Sequence, residues 1–436
     1  MISNEQKAIQ NIKHNLDRSI DLVVQNIGCY STNPGFSFTR RRKLPPEKLI
    51  NLLLCYEASS SGTELTHYFS CKDVPSASAL YQQRIKLDYE AMERVFSLFL
   101  STCECNKTYK GFRLLAADGS DVGTPYDNSD TETAVTNDGN YRIHNSVHLN
   151  AVYDILNDKY IDVIITPSKK SGEVNALIKS VEEHRCPPNS IIIADRGYES
   201  YELMAACITN NQKFIIRCKD IESSGVVKPM EYSDTDFDEE MNIILTRKQT
   251  NAVKDNPKLY RRIMTNQSFK YLPITEDYYP MNLRVVRFKI TEDTYEVLVT
   301  NLPEEQFSSE EMKELYHLRW SEEVSFRNLK YPLGMIYLHS KNLNLIKQEI
   351  FAKVILYNFI SEVRNVLDIV KKSKKYIYKV SFTKCVTTIR MYLSRNAKLR
   401  DVIKEIKRSL VPIRPERKYI RNITAKSAKT LAYRIA

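Results

Sequence analysis

Two aspartates close apolar runs in similar settings. FRLLAADGSDV carries Asp118 after LLAA, and IIIADRGY carries Asp195 after IIIA, each with a glycine directly behind it or one residue further on. The C-terminal ends of buried strands in an α/β sheet are where polar groups face a cleft on a rigid backbone. Both aspartates are therefore candidates for chemistry. A third acid sits in SSEEMKELYHLRWSEEVSFRNLKYP, which opens on the capping box Ser308-x-x-Glu311 and stops at Pro332. At about 100° per residue, Tyr316, Arg319, Glu323 and Lys330 fall within about 60° of one another on a helical wheel. Leu315, Leu318, Phe326 and Leu329 form an apolar stripe beside them. Alone, Arg319 and Glu323 have the spacing of a surface ion pair worth about 0.3 kcal/mol. With two strand-end aspartates, the face becomes a candidate site.

The neighbours of these residues carry blander readings. Asp121 competes with Asp118 but is expected beyond the end of the strand. Glu322 falls inside the apolar stripe, where nothing in the sequence explains a carboxylate. Trp320, the single tryptophan, falls away from the polar face and is read as packed. His317 is read as structural, and His144 and His148 as hydrogen-bonded rather than ligating.

The elements that must position this site follow from pattern. Residues 1–105 read as helical. They include a basic run at Arg40, Arg41, Arg42 and Lys43, and a helix pair between Ser60 and Leu87, read equally as packing of a helical subdomain or as a helix-turn-helix whose second helix offers Tyr81, Gln82, Gln83, Arg84 and Lys86 to DNA. Residues 106–220 alternate strands and helices, with a hairpin turning at Leu156-Asn157-Asp158. Residues 221–300 are strand-rich, with an acidic stretch from Glu231 to Glu240 read as a solvated loop. Residues 301–370 contain the glutamate helix, and 371–436 form a basic terminal region.

The 436 residues are enough for several structural units, and 42% hydrophobic with 27% charged content is ordinary for a globular chain. No apolar run approaches the roughly 20 residues of a bilayer span. The polar opening is no signal peptide. A soluble, cytoplasmic protein is expected. None of the nine cysteines forms a CxxC pair, which argues against structural zinc. The net charge is +11, and from Lys371 onward 20 Lys or Arg face three acids, so the rest of the chain sums to −6. A basic tail on a mildly acidic body suggests a polyanionic partner, DNA or RNA first.

Tyr316-x2-Arg319-x3-Glu323-x6-Lys330, with ADGS around Asp118 and ADRGYES around Asp195, resembles the Y-R-E-K signature and first two aspartate motifs of DDE transposases. The family is that of bacterial insertion sequences of the fourth group. The similarity covers about residues 112–335. It implies an α/β, ribonuclease-H-like catalytic core interrupted by a β-rich insertion, with helical N-terminal and C-terminal regions. It further implies that Asp118, Asp195 and Glu323 ligate two Mg²⁺ ions, with Mn²⁺ as a substitute. Tyr316, Arg319 and Lys330 would then contact the phosphates of the end DNA, with Arg40, Arg41, Arg42, Arg84 and Lys86 as further DNA contacts. The implied partners are transposon ends, target DNA and a second copy of the chain, at the bacterial nucleoid. A metal-dependent nuclease of the same fold and a catalytically silent DNA-binding derivative are the alternatives. The family usually carries an apolar residue where this chain has Glu322.

Overall fold

The computed structural model describes residues 3–413 apart from 41, 138–139, 171, 224, 229–234, 265–268, 274, 292–293, 368–370 and 373–375. Five helices open the chain: α1 (Asn4–Gln25), α2 (Pro46–Cys55), α3 (Ser61–Tyr68), α4 (Ala77–Lys86) and α5 (Tyr89–Leu100). Their starts are those the sequence advertises. Ser3 and Gln6 close a capping box on α1, Pro46 takes the first turn of α2, and Ser60, Ser76 and Asp88 cap the next three with side-chain oxygens.

The next elements are β1 (Arg113–Gly123), β2 (Ala134–Asn137), β3 (Asn140–Asp154), β4 (Lys159–Pro167), α6 (Glu173–Glu182), β5 (Ser190–Ala194), α7 (Tyr201–Thr209) and β6 (Lys213–Cys218). They are followed by β7 (Phe237–Thr246), α8 (Asn251–Lys254), β8 (Tyr260–Arg262), β9 (Tyr278–Thr291) and β10 (Thr294–Thr300). All ten strands belong to one mixed sheet, in the order β2-β3-β1-β5-β6-β10-β9-β7-β8, with β4 paired to β3. The segment 221–300 is β-rich as expected, yet its strands extend the main sheet through β10 on β6 instead of standing apart. Residues 231–234 of the acidic stretch lie outside the described residues, and its end departs from a loop: Phe237 to Glu240 open β7, where Asp238 pairs with Arg284.

The glutamate segment is not one helix. α9 (Ser309–Leu318) ends at Arg319, and α10 (Ser321–Lys330) starts after Trp320. Across the join, the N–H groups of Arg319, Trp320 and Glu322 donate to carbonyls three residues back, a tighter winding than the α-helix. A wheel drawn at a constant angle therefore fails near the join. Leu318 and Trp320, expected in the core, are 40% and 46% exposed.

α11 (Leu343–Val366) is the pillar of the helical part. It is buried almost throughout and packs on α2, α5, α1 and β4. Its apolar and polar residues are distributed all round, as in a helix enclosed on every side. The described C-terminal part holds β11 (Lys371–Lys372), β12 (Ile377–Val380), α12 (Phe382–Leu393), α13 (Leu399–Arg408) and β13 (Leu410–Ile413), the three strands forming a small sheet. Most of the basic PIRPERKYIR segment lies outside the described residues. Among those described, no helix is long and apolar enough to cross a membrane.

Candidate active site

β1 and β5 run parallel, and their pairing ends at Ala117 opposite Ala194. The next residue of each segment is an aspartate, Asp118 still on β1 and Asp195 just past β5, so the two stand side by side where the strands part. Alternation along the strands fixes their faces. Leu114, Ile191 and Ile193 point into the cluster that holds Met312, Leu315 and Tyr316 of α9, and the aspartates share that face. Each is tied to its own turn: Gly119 N–H donates to Asp118 Oδ1 and Gly197 N–H to Asp195 Oδ1, both at 2.8 Å.

β1 itself does not end at Asp118. It continues to Gly123 against β3, with Asp121 opposite His148. Asp121 is thus inside the strand, not beyond it, and is engaged by His148 Nδ1 at 2.9 Å. What ends at Asp118 is the parallel half of its pairing, and that opens the gap into which the aspartates point.

Arg319 enters this gap from the join between α9 and α10. Its side chain is 6% exposed, with Nη1 3.8 Å from Asp118 Oδ2 and Nη2 3.9 Å from Glu323 Oε1. Asp118 and Asp195 are together; Glu323 is linked to them across a guanidinium. Tyr316 is buried, with Arg319 5.8 Å from its ring centre, and Lys330 is half-buried on α10.

The electrostatics show a shortage of positive charge. Burial pushes the Asp118 carboxyl up to about 6; Gly119 and Arg319 oppose the rise, and Asp195 and Glu173 add to it. Glu322 is more extreme. It is fully buried, and neither carboxylate oxygen has a hydrogen-bond partner. Burial drives its pKa well above the usual carboxylate range, Asp118 adds to that, Arg319 opposes it and Asp195 adds again. An unpartnered buried carboxylate is costly. Sequence reasoning placed Glu322 in the core stripe, which burial bears out, but its link to the aspartates needed three dimensions.

Magnesium prefers hard oxygen donors, and Asp118, Asp195, Glu322 and Glu323 supply only those. The crowded, under-compensated negative charge also suits a divalent cation. In kind, the residues fit. In spacing they stand open: among the described residues no three His, Cys, Asp or Glu side chains converge closely enough to hold an ion, with Arg319 lying between Asp118 and Glu323.

The other expected contacts divide. Arg40 and Arg42 are exposed, Lys86 is half-buried, and Arg41 lies outside the described residues. Arg84 must be corrected. The helix pair α3–α4 forms, but Arg84 turns inward, with its side chain 4% exposed and Nη1 2.9 Å from Glu349 of α11. Gln83 is buried too, whereas Tyr81 is 49% exposed. The larger of the two described cavities, about 660 Å³ beside α5 and β4, contains none of the candidate acids; they sit at an open sheet end.

Residues 109–359 match the family model described as the transposase DDE domain. Among curated proteins, the InsL protein of insertion sequence element IS186A from Escherichia coli K12 is 36% identical over 81 residues, which are 18% of this chain and 22% of that protein. The transposase for insertion sequence element IS421 of Escherichia coli matches with the same identity and coverage. The similarity thus spans about a fifth of each relative's length. A piggyBac transposase synaptic complex with hairpin DNA aligns over 92% of this chain and 85% of its own, at 12% identity and a TM-score of 0.45.

Proposed function

Because the chain belongs to the transposase DDE domain family, we propose that it binds the ends of an insertion sequence and cuts and rejoins DNA there with Asp118, Asp195 and Glu323. The observation that carries this reading is the pair Asp118 and Asp195, side by side where the parallel strands separate, with Arg319 linking the pair to Glu323. Cleavage would begin with water adding to phosphorus at the transposon end while the 3′-oxygen leaves. The freed 3′-hydroxyl would then attack the opposite strand or the target in the same way.

Asp118, Asp195 and Glu323 would hold the Mg²⁺ ions, or Mn²⁺ in their place. Two such ions, when bound, would activate the attacking oxygen and stabilise the leaving one. The chain's own work is arrangement. The strand ends fix the two aspartates, the α9–α10 join brings Arg319 against Asp118, and Lys330 follows Glu323 about two turns later on α10. Tyr316, Arg319 and Lys330 would hold end-DNA phosphates, contacts that position without reading sequence. The surrounding sheet would be a ribonuclease-H-like core, with 221–300 as its β-rich elaboration. The helical residues 1–105 and basic 371–436 would add DNA contacts, Arg40, Arg41, Arg42 and Lys86 among them. Pairing two ends calls for two copies of the chain, acting at the bacterial nucleoid.

The test is to incubate the purified chain with its element's ends and Mg²⁺ and map the products. Asp118→Asn, Asp195→Asn and Glu323→Gln are each expected to abolish cleavage, while binding to end DNA in a mobility-shift assay is kept. Full cleavage by any of the three would remove that residue from the assignment. Nicking without strand transfer would favour a nuclease, and binding without any cutting a silent derivative.

A further inference from the structure

Both aspartate turns carry a glycine, and both glycines face the same third side chain. A Cβ built on Gly119 would lie 2.3 Å from Oε1 of Glu173 and 2.3 Å from Nε2 of His148. One built on Gly197 would lie 3.1 Å from Oδ1 of Asp195 and 3.6 Å from Oε2 of Glu173. The carboxylate of Glu173 thus lies over the backbone beside Asp118 and shares the small space above Gly197 with Asp195. Any larger residue at 119 would displace it.

Glu173 arrives from the other side of the sheet, as the first residue of α6. A glutamate in a first helical turn is ordinary, because it complements the helix dipole. This one is also aimed. Its Oε1 is 3.0 Å from Nε2 of His148 on β3. Nδ1 of that ring is 2.9 Å from Oδ1 of Asp121 on β1, directly across the ladder. Asp121 accepts a further hydrogen bond at 3.0 Å from the Ser168 hydroxyl. Ser168 and Asp121 hold the ring by hydrogen bonds, and its Nε2, which makes no hydrogen bond, stands within ion-pairing distance of the Glu173 carboxylate. An acid–imidazole line of this kind is how ligands are oriented around metal ions.

An independent observation points to a cation here. Glu322, next to Glu323 at the start of α10, is wholly buried, and neither of its carboxylate oxygens has a hydrogen-bond partner. The site carries carboxylates that its own side chains leave uncompensated.

We propose that Glu173 is a fourth carboxylate of the divalent-cation site at Asp118 and Asp195, and that Asp121 and His148 are positioning residues that aim it. The proposal rests on the DDE reading and deepens it, by drawing an oxygen donor from the opposite layer of the sheet.

The test is Mn²⁺ binding to the full chain without DNA, read from the electron paramagnetic resonance signal of free Mn²⁺. Glu173→Gln is expected to weaken binding by about 100-fold or more, and His148→Gln by about 10-fold, the low end of the range seen when supporting partners of metal sites are removed. Gly119→Ala should reproduce the Glu173→Gln loss by displacing the carboxylate. Circular dichroism and melting in EDTA establish that each variant is folded, and Glu173→Asp provides a second variant at the same position. Loss of binding in Asp195→Asn together with wild-type affinity in folded Glu173→Gln overturns the proposal and leaves the DDE reading standing. Wild-type affinity in Asp195→Asn, or no Mn²⁺ bound by the wild-type chain, brings down the DDE reading and the proposal with it.

Discussion

Two glutamates, both fully buried and both on helices, have opposite surroundings. Glu349 of α11 lies 2.9 Å from Arg84 and 2.9 Å from His339 Nδ1, and accepts the His339 backbone N–H at 2.9 Å. Burial alone would raise its pKa, but Arg84 and His339 hold it at about 2. Glu322 of α10 has no hydrogen-bond partner on either oxygen, and burial among aspartates pushes it far the other way. The first glutamate fastens α4 and the segment before α11 into the helical hub. The second lies at the candidate site, where no side chain hydrogen-bonds either of its oxygens. A buried carboxyl is thus a structural fastener where its partners are present, and one without partners calls for an explanation.

The comparison breaks most readily at the hub. Glu349→Gln should cost about 3–5 kcal/mol, because it leaves Arg84 buried without its counter-charge. Urea unfolding checks this, and a loss below 1 kcal/mol would mean that the network is ornamental. Acid should act on the same group. A carboxyl held at about 2, against an ordinary 4.5, stabilises the fold above the ordinary value and loses that contribution as pH falls through its folded pKa. The melting temperature should therefore drop between about pH 5 and pH 2, and the drop should be smaller in Glu349→Gln.

Glu322→Leu sharpens the contrast from the other side. In EDTA it should raise stability by about 1 kcal/mol, since an apolar residue of similar size replaces a buried carboxyl without hydrogen-bond partners. A destabilised variant would mean that Glu322 has a partner of its own. The smallest expected effect is at the surface. Arg42→Ala should lower by about one the slope of log affinity for DNA against log salt, with cleavage per bound complex unchanged; an unaltered slope removes Arg42 from the DNA surface.

What the sequence made legible was local. Caps, the β3–β4 hairpin and the two aspartate strands follow from patterns a few residues long, and Tyr316, Arg319, Glu323 and Lys330 share one short segment. What escaped it depends on partners far along the chain. Arg84 looks like a DNA contact until Glu349 arrives from α11, and α11 lacks the one-sided stripe that announces an amphipathic helix. Glu173 gave no signal beyond an ordinary first-turn acid, because its neighbours Gly119, His148 and Gly197 come from three other elements. Trp320 and Leu318 were misplaced for a narrower reason, since three hydrogen bonds that reach back three residues change the winding where a uniform wheel assumes none.

That join also separates two loads. α9 is seated on β9, with Met312, Leu315 and Tyr316 in the cluster beneath it, while α10 is seated on β1 and α11, with Phe326 and Leu329 in the hub. Tyr316 and Glu323 therefore ride on different foundations, and only Arg319 and Trp320 connect them. A disturbance in the helical hub reaches the glutamate without first moving the tyrosine, so damage far from the acids can misalign one half of the site and spare the other.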